Sequence, residues 1–239
     1  MSFRRLADQQ PATFAFTPEN SAWIESEIRK YPPGRQASAV ISLLWRGQEQ
    51  EGWVTKPMIE DVARRLDMPF VRVLEVATFY TMFNLAPVGR HLVQVCTTTP
   101  CWLAGSDAVV AACRKHIAAR PQTISPDGTF SWIEVECLGA CVNAPVMQIG
   151  KDYYEDLDGA STEAILSALR HGQRPKSGSQ TGRHSSEPAG GPTTLMDRSI
   201  YGHARPLMHP AVTDAEAKRP GAGDSDRESP AQKPPGAAT

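Results

Sequence analysis

Four of the five cysteines lie in two close pairs, and thiolates are the side chains of this sequence best suited to bind metal. The first pair is Cys96 and Cys101, and the second is Cys137 and Cys141. Each pair begins where an apolar run ends, which predicts two loops that follow two strands. Loops after strands are where α/β proteins commonly build their sites. The sequence therefore predicts four thiolates around one metal centre.

The spacing within each pair indicates the kind of centre. Four residues separate Cys96 from Cys101, and three separate Cys137 from Cys141. Structural zinc sites are usually built on C-x₂₋₄-C spacings, often C-x₂-C, and redox disulfides on C-x-x-C. A [2Fe–2S] cluster needs four cysteines, two for each iron, and the wider spacings leave room for its sulfides. We therefore predict a [2Fe–2S] cluster, with structural zinc as the alternative.

Small residues beside the cysteines predict hydrogen bonds to sulfur. Gly139 and Ala140 allow the backbone to come close, so that N–H groups can point at a sulfur atom. The three threonines that follow Cys96 can add hydroxyl donors. Such hydrogen bonds tune the reduction potential of a cluster. The fifth cysteine, Cys113, lies in an alanine-rich stretch, where we expect a small buried hydrophobic side chain rather than a ligand.

A helical domain is predicted over residues 17–86, after an extended arm at residues 1–16. Thr17 is the expected cap of its first helix, with a proline in the first turn. Hydrophobic periodicity predicts four helices, at about residues 17–31, 36–51, 55–66 and 70–83. The fourth helix is apolar on several sides, so we expect it to lie in the centre of the domain.

The cysteine pairs belong to residues 87–172, which predict a small α/β sheet with helices on its faces. Strands are expected at about 92–96, 130–136, 146–149 and 153–154, and helices at about 105–119 and 162–171. A thioredoxin-like arrangement fits this layout, although periodicity alone does not select it. The fold class is therefore α+β or α/β, with a helical bundle followed by a thioredoxin-like domain.

A change of composition marks residues 173–239 as a low-complexity, largely disordered tail. This segment is rich in Gly, Pro, Ser and charged residues, and it offers little apolar surface to offset the entropy of ordering. An apolar stretch at 195–208 interrupts it. We favour scattered residues in a disordered tail over the alternative, a segment that orders along a partner.

Composition and motifs exclude several functions. The net charge is −1, so nothing supports binding to nucleic acid. No apolar run approaches the roughly 20 residues of a membrane span, and no secretion signal follows the N-terminal arginines. The sequence has neither a G-x-G-x-x-G nor a Walker A motif for a nucleotide. We expect a cytoplasmic electron carrier with no catalytic site of its own.

Motifs around the cysteines resemble one family closely. They are Glu75–Phe83, Pro87–Gly89, Gln94–Cys96, Cys101–Trp102, Glu134–Cys141, Asn143–Met147 and Tyr153–Leu157. Over residues 17–171 the sequence is similar to the E subunit of bacterial NADH–quinone oxidoreductase, which is the thioredoxin-like [2Fe–2S] subunit of respiratory complex I. The resemblance does not extend convincingly to the tail.

The resemblance implies a cluster in which Cys96 and Cys101 bind one iron, and Cys137 and Cys141 the other. It implies a partner subunit that binds NADH and FMN and exchanges single electrons with the cluster, and a large iron–sulfur subunit in the same complex. The chain would then work as an electron-transfer subunit of a quinone-linked translocase, held at the inner face of the bacterial membrane through its partners.

Two alternatives stay open at this point. The same fold and cysteines serve the equivalent subunit of a soluble NAD-dependent hydrogenase or formate dehydrogenase, and sequence motifs separate the two poorly. The second alternative is a zinc-stapled interaction module without electron transfer, which metal content would distinguish.

Overall fold

Residues 4–188, 190, 193 and 194 are described by the computed structural model, and they fall into two units that divide between Arg90 and His91. The sequence placed its domain boundary after residue 86. The apolar stretch at 195–208 lies outside the described residues. Within the described part of the chain, no helix is both long and apolar enough to cross a membrane.

The first unit is helical and carries the arm on its surface. Its helices are α1 (Pro18–Ile28), a 3₁₀ turn (Gln36–Ala39), α2 (Val40–Glu51), α3 (Lys56–Leu66) and α4 (Phe70–Phe79). The predicted cap is confirmed, because the Thr17 hydroxyl accepts a hydrogen bond from the Asn20 N–H at 3.2 Å. In the arm, Arg4 donates to the Tyr80 carbonyl at 2.6 Å, which ties the start of the chain to the end of α4.

The prediction that α4 lies in the centre of this unit is wrong. Only Val73 and Ala77 on this helix are fully buried, whereas Val71 is 53% exposed and Phe79 is 76% exposed. The helix also ends at Phe79, before the predicted end at residue 83, because Tyr80 takes an extended conformation. An apolar composition on all sides does not determine which sides the neighbouring helices cover, and here they cover one.

The second unit is a five-stranded mixed sheet with helices. Its strands are β1 (His91–Cys96), β2 (Phe130–Val135), β3 (Met147–Ile149), β4 (Asp152–Glu155) and β5 (Gly178–Ser179), in the spatial order β2-β1-β3-β4-β5. Its helices are α5 (Thr99–Leu103), α6 (Ser106–His116) and α7 (Gly159–Arg170). β1 pairs with β2 in parallel and with β3 antiparallel, and β4 and β5 are parallel. The thioredoxin-like layout predicted from the sequence is confirmed.

Apolar side chains from the sheet and from α6 and α7 form the core of this unit. Trp132 and Phe130 on β2 are fully buried, as are Val93 and Val95 on β1. The buried Trp132 Nε1 donates to the Ala118 carbonyl at 2.9 Å, so its polar group is satisfied inside the core. This packed core fixes the two central strands, and those strands carry the cysteine loops.

Candidate metal centre

The parallel pair β1 and β2 brings the two cysteine loops together. Parallel neighbours end at the same edge of a sheet, and the register places Cys96, the last residue of β1, opposite Val135, the last residue of β2. Cys137 follows two residues after the end of β2. The predicted convergence of loops after two strands is therefore what the structure shows.

The first cysteine pair is buried. Cys96 and Cys101 are each 1% exposed, and they pack with Val146. Cys101 lies on α5, a five-residue helix that the sequence analysis missed. The available signal was a threonine before Pro100, since proline favours the first turn of a helix.

The second cysteine pair is exposed to solvent. The Sγ atoms of Cys137 and Cys141 are 3.4 Å apart, and the Gly139 N–H donates to Cys137 Sγ at 3.4 Å. Gly139 has φ = +81°, a left-handed conformation that glycine adopts without a steric penalty. A short 3₁₀ turn, Cys141–Asn143, follows. The predicted backbone approach to sulfur is thus seen at Gly139.

Mutual interactions link all four thiols. Burial raises the pKa of Cys101 to about 12, and a hydrogen bond with Cys96 and the charges that Cys96 and Cys141 would carry raise it further. A hydrogen bond with Cys137, some burial and the charges of Cys137 and Cys96 raise the pKa of Cys141. Thiols this close resist losing several protons unless a cation neutralises them, and metal binding supplies that cation.

Cys96 differs from its neighbours. Burial opposes its ionisation, but the Thr98 hydroxyl and backbone groups of Leu138 and Thr98 hydrogen-bond to its sulfur, and together they lower its pKa. The Thr98 Oγ1 lies 3.3 Å from Cys96 Sγ. This contact bears out the prediction that a threonine hydroxyl assists the first pair.

The grouping of the thiols bears on the choice between a cluster and a single ion. Among the described residues, no three Cys, His, Asp or Glu side chains gather as one bound ion would require. The cysteines instead stand as one buried pair and one exposed pair that interact across the gap between the two loops. Two pairs, each able to bind one iron, fit a [2Fe–2S] cluster better than a tetrahedral zinc site.

Apolar groups surround the candidate centre on both sides. Beneath it, the Tyr153 hydroxyl donates to the Leu138 carbonyl at 3.0 Å and holds the second loop. On the surface, Trp102, Leu103 and Val142 expose large side chains next to Cys101 and Cys141. The centre therefore lies just below an apolar patch.

Cys113 takes no part in this arrangement. It lies on α6 and is fully buried in the core of the sheet unit, where burial raises the pKa of its thiol to about 12. The expectation that it is a small hydrophobic core residue is confirmed.

A thioredoxin-like sheet whose two central strands end in loops with paired cysteines defines a class of iron–sulfur electron carriers. The model of the thioredoxin-like [2Fe–2S] ferredoxins matches residues 24–170. The chain belongs to this family, and the family implies an iron–sulfur cluster.

Particular relatives narrow the similarity. An E subunit of NADH–quinone oxidoreductase (the first of its kind in Rhizobium meliloti strain 1021) is 54% identical over 201 residues, which is 82% of this chain and 73% of the relative. The E subunit of the same enzyme in Rickettsia bellii (strain RML369-C) is 52% identical over 159 residues, 66% of this chain and 95% of the relative. Because 82% of the chain is more than residues 1–172 contain, the Rhizobium match continues past residue 172.

A solved structure shows the same fold at lower identity. The NAD⁺-reducing [NiFe]-hydrogenase in its H₂-reduced state aligns with a TM-score of 0.51 and 18% identity. The alignment covers 57% of this chain and only 23% of that hydrogenase chain. At this identity the likeness concerns the fold alone.

Proposed function

We propose that this chain is the [2Fe–2S] electron-transfer subunit of an NADH–quinone oxidoreductase, with Cys96, Cys101, Cys137 and Cys141 as the cluster ligands. The observation that carries the proposal is the placement of two cysteine pairs on loops that leave one edge of the sheet. The Rhizobium and Rickettsia relatives, about half identical over most of the chain, favour this complex over the hydrogenase and formate dehydrogenase alternatives.

The cluster, when bound, supplies the ability to accept and donate one electron at a time. The chain's own residues set the conditions for this. The buried pair, Cys96 and Cys101, lies away from water against Val146. The exposed pair lies at the surface, so one side of the site is open to a partner. Hydrogen bonds from Gly139 and Thr98 stabilise negative charge on sulfur.

The electron partner in this proposal is a subunit that binds NADH and FMN. The present sequence has no recognisable nucleotide motif, so the flavin must lie on another chain. The exposed Trp102, Leu103 and Val142 next to the cysteines provide an apolar contact surface of the kind that partner subunits cover. The large iron–sulfur subunit is the second proposed neighbour, and the chain associates with the cytoplasmic face of the membrane only through this complex.

Metal analysis tests the proposal directly. The full chain, purified anaerobically, should contain two irons and two acid-labile sulfides per molecule, and dithionite reduction should produce an S = 1/2 EPR signal. Zinc at one atom per chain without sulfide would refute the proposal and leave the zinc-stapled module.

A Cys→Ser series tests the ligand assignment. Each of the variants Cys96→Ser, Cys101→Ser, Cys137→Ser and Cys141→Ser should lose the cluster or change its spectrum, because each removes one thiolate ligand. Cys113→Ser is the matched control: it makes the same atomic change inside α6, and a helical serine can bond a carbonyl one turn earlier. An unchanged cluster in any of the first four variants would refute the assignment of that residue.

A further inference from the structure

The segment that follows α7 contacts the loop that carries Cys141. We propose that residues 178–187 form a clamp on this ligand loop, and that Arg183 is the positioning residue that fixes it. The inference rests on the proposed function in one respect, since Cys141 must be a cluster ligand for the clamp to affect a cluster. The clamp follows the part of the chain that the family model matches, which ends at residue 170.

The clamp is anchored to the sheet by its first residues. β5 adds to the edge of β4 in parallel, with Tyr154 opposite Gly178 and Glu155 opposite Ser179. The Gln180 N–H then donates to the Glu155 carbonyl at 3.0 Å. This anchor sets the position from which the next residues turn back toward the cysteine loop.

Arg183 joins the clamp to the ligand loop. Its Nη2 donates to Asp156 Oδ1 at 2.5 Å, and its Nη1 donates to the Val142 carbonyl at 3.1 Å. The Arg183 side chain is 14% exposed and that of Asp156 is 6% exposed, so the ion pair is largely removed from water. The second Asp156 oxygen accepts from the Ser179 hydroxyl at 2.6 Å. A guanidinium group can make both contacts at once because it is a planar fork of donors.

The next residue of the ligand loop is held from both sides. Asn143 is buried, and its Nδ2 donates to Glu155 Oε2 at 2.6 Å and to the Ser185 carbonyl at 2.7 Å. The Asn143 carbonyl accepts from the Asp156 N–H at 2.7 Å. The two residues that directly follow Cys141 therefore have their polar groups fixed by β4 and by the clamp.

These contacts act on the sulfur of Cys141 through a short lever. Cys141, Val142 and Asn143 form a single 3₁₀ turn, so an anchor on its second and third residues orients the first. Removal of Arg183 would free the Val142 carbonyl and leave the Asp156 carboxylate buried without its counter-charge. Groups that orient metal ligands from outside typically change metal affinity about 10–100-fold when they are mutated.

The test compares Arg183→Gln, Arg183→Lys and Arg174→Gln in the full chain. Arg174→Gln is the matched control, because Arg174 is an exposed arginine of the same segment, outside the clamp. Iron release to a chelator under anaerobic conditions should accelerate about tenfold or more in Arg183→Gln, less in Arg183→Lys, and not in Arg174→Gln. The cluster's midpoint potential should fall in Arg183→Gln, which removes a positive charge near the site, and should stay near wild type in Arg183→Lys.

A readout without a cluster separates this inference from the proposed function. In the apo protein, the Asn143 and Ala144 amides bond to the Ala140 and Cys141 carbonyls, and their hydrogen exchange should accelerate in Arg183→Gln only. Equal exchange in Arg183→Gln and Arg174→Gln would overturn the clamp, and faster iron release with an unchanged potential would overturn its positioning role. Absence of iron and sulfide from the wild-type protein, with altered exchange still seen, would overturn the proposed function alone.

Discussion

Replacement of Gly139 by alanine should weaken cluster retention by a calculable amount. The residue has φ = +81°, and a Cβ built on it meets nothing within 4 Å, so the cost comes from the backbone conformation alone. A left-handed conformation costs an L-residue roughly 1–2 kcal/mol. Stiffening the open loop returns about 0.4–1 kcal/mol of this. The net cost is about 1 kcal/mol, which corresponds to roughly a fivefold rise in the population of the open loop.

The assay is the rate of iron release to a chelator, measured anaerobically on the full chain. We expect the rate to rise about fivefold in Gly139→Ala, because the open loop exposes the cluster. Gly139→Asn should lie between alanine and wild type, since asparagine tolerates the left-handed region better than other side chains. The N–H bond to Cys137 Sγ survives in both variants, so the midpoint potential should change little.

The matched control is Gly150→Ala in the turn between β3 and β4. Gly150 has φ = +61°, and a Cβ there also meets nothing within 4 Å, so the backbone cost is the same. This turn carries no cysteine, so iron release should stay at the wild-type rate. A Gly139→Ala rate within twofold of wild type, or a faster rate in Gly139→Asn than in Gly139→Ala, would refute the reasoning.

Two further predictions concern the stability of each unit. Gly47→Ala should destabilise the helical unit by about 1 kcal/mol, measured by hydrogen exchange of α2 and α3, because the new Cβ would lie 2.5 Å from Met58 Sδ and overpacking outweighs the gain in helix propensity. Asp158→Ala should cost about 1 kcal/mol at pH 7, measured by urea unfolding, because Asp158 caps α7 by accepting from the Ser161 N–H at 2.7 Å.

Each of these predictions has its own internal check. In a Met58→Ala background, Gly47→Ala should become neutral or stabilising, and an unchanged penalty would contradict the steric explanation. Hydrogen bonds from the Ser161 backbone and hydroxyl lower the pKa of Asp158, so its contribution is present above the unfolded value of about 4 and is lost as the pH falls through the folded value. The difference between wild type and Asp158→Ala should therefore narrow in acid, and a difference independent of pH would contradict the capping role.

The parts of the structure that the sequence predicted rest on local signals. Thr17 and Thr55 cap helices because each precedes a proline by one or two residues and offers a hydroxyl to a free N–H. The cysteines could be placed at loops because Cys96 and Cys137 follow apolar runs with strand periodicity. These signals lie within a few residues of the feature they specify, so one sequence suffices to find them.

The parts that were missed depend on short elements or on distant partners. The five residues of α5 are too few for a helical period to show. The exposure of α4 depends on which sides its neighbours cover, and its composition does not record this. The clamp depends on Arg183 and Asp156, which are 27 residues apart, and its segment has the composition of an unstructured tail. Pairing between distant charges leaves no periodic trace.

β5 has a consequence for how copies of the chain behave in solution. Without it, β4 would be the last strand of the sheet on that side and would present unpaired backbone donors and acceptors. Such rows of free groups are templates for strand addition by another chain, and proteins limit them with very short final strands. A two-residue strand followed by a turn back toward the sheet is of that kind. The segment after α7 thus opposes edge-to-edge aggregation in chains that are not yet assembled with partners.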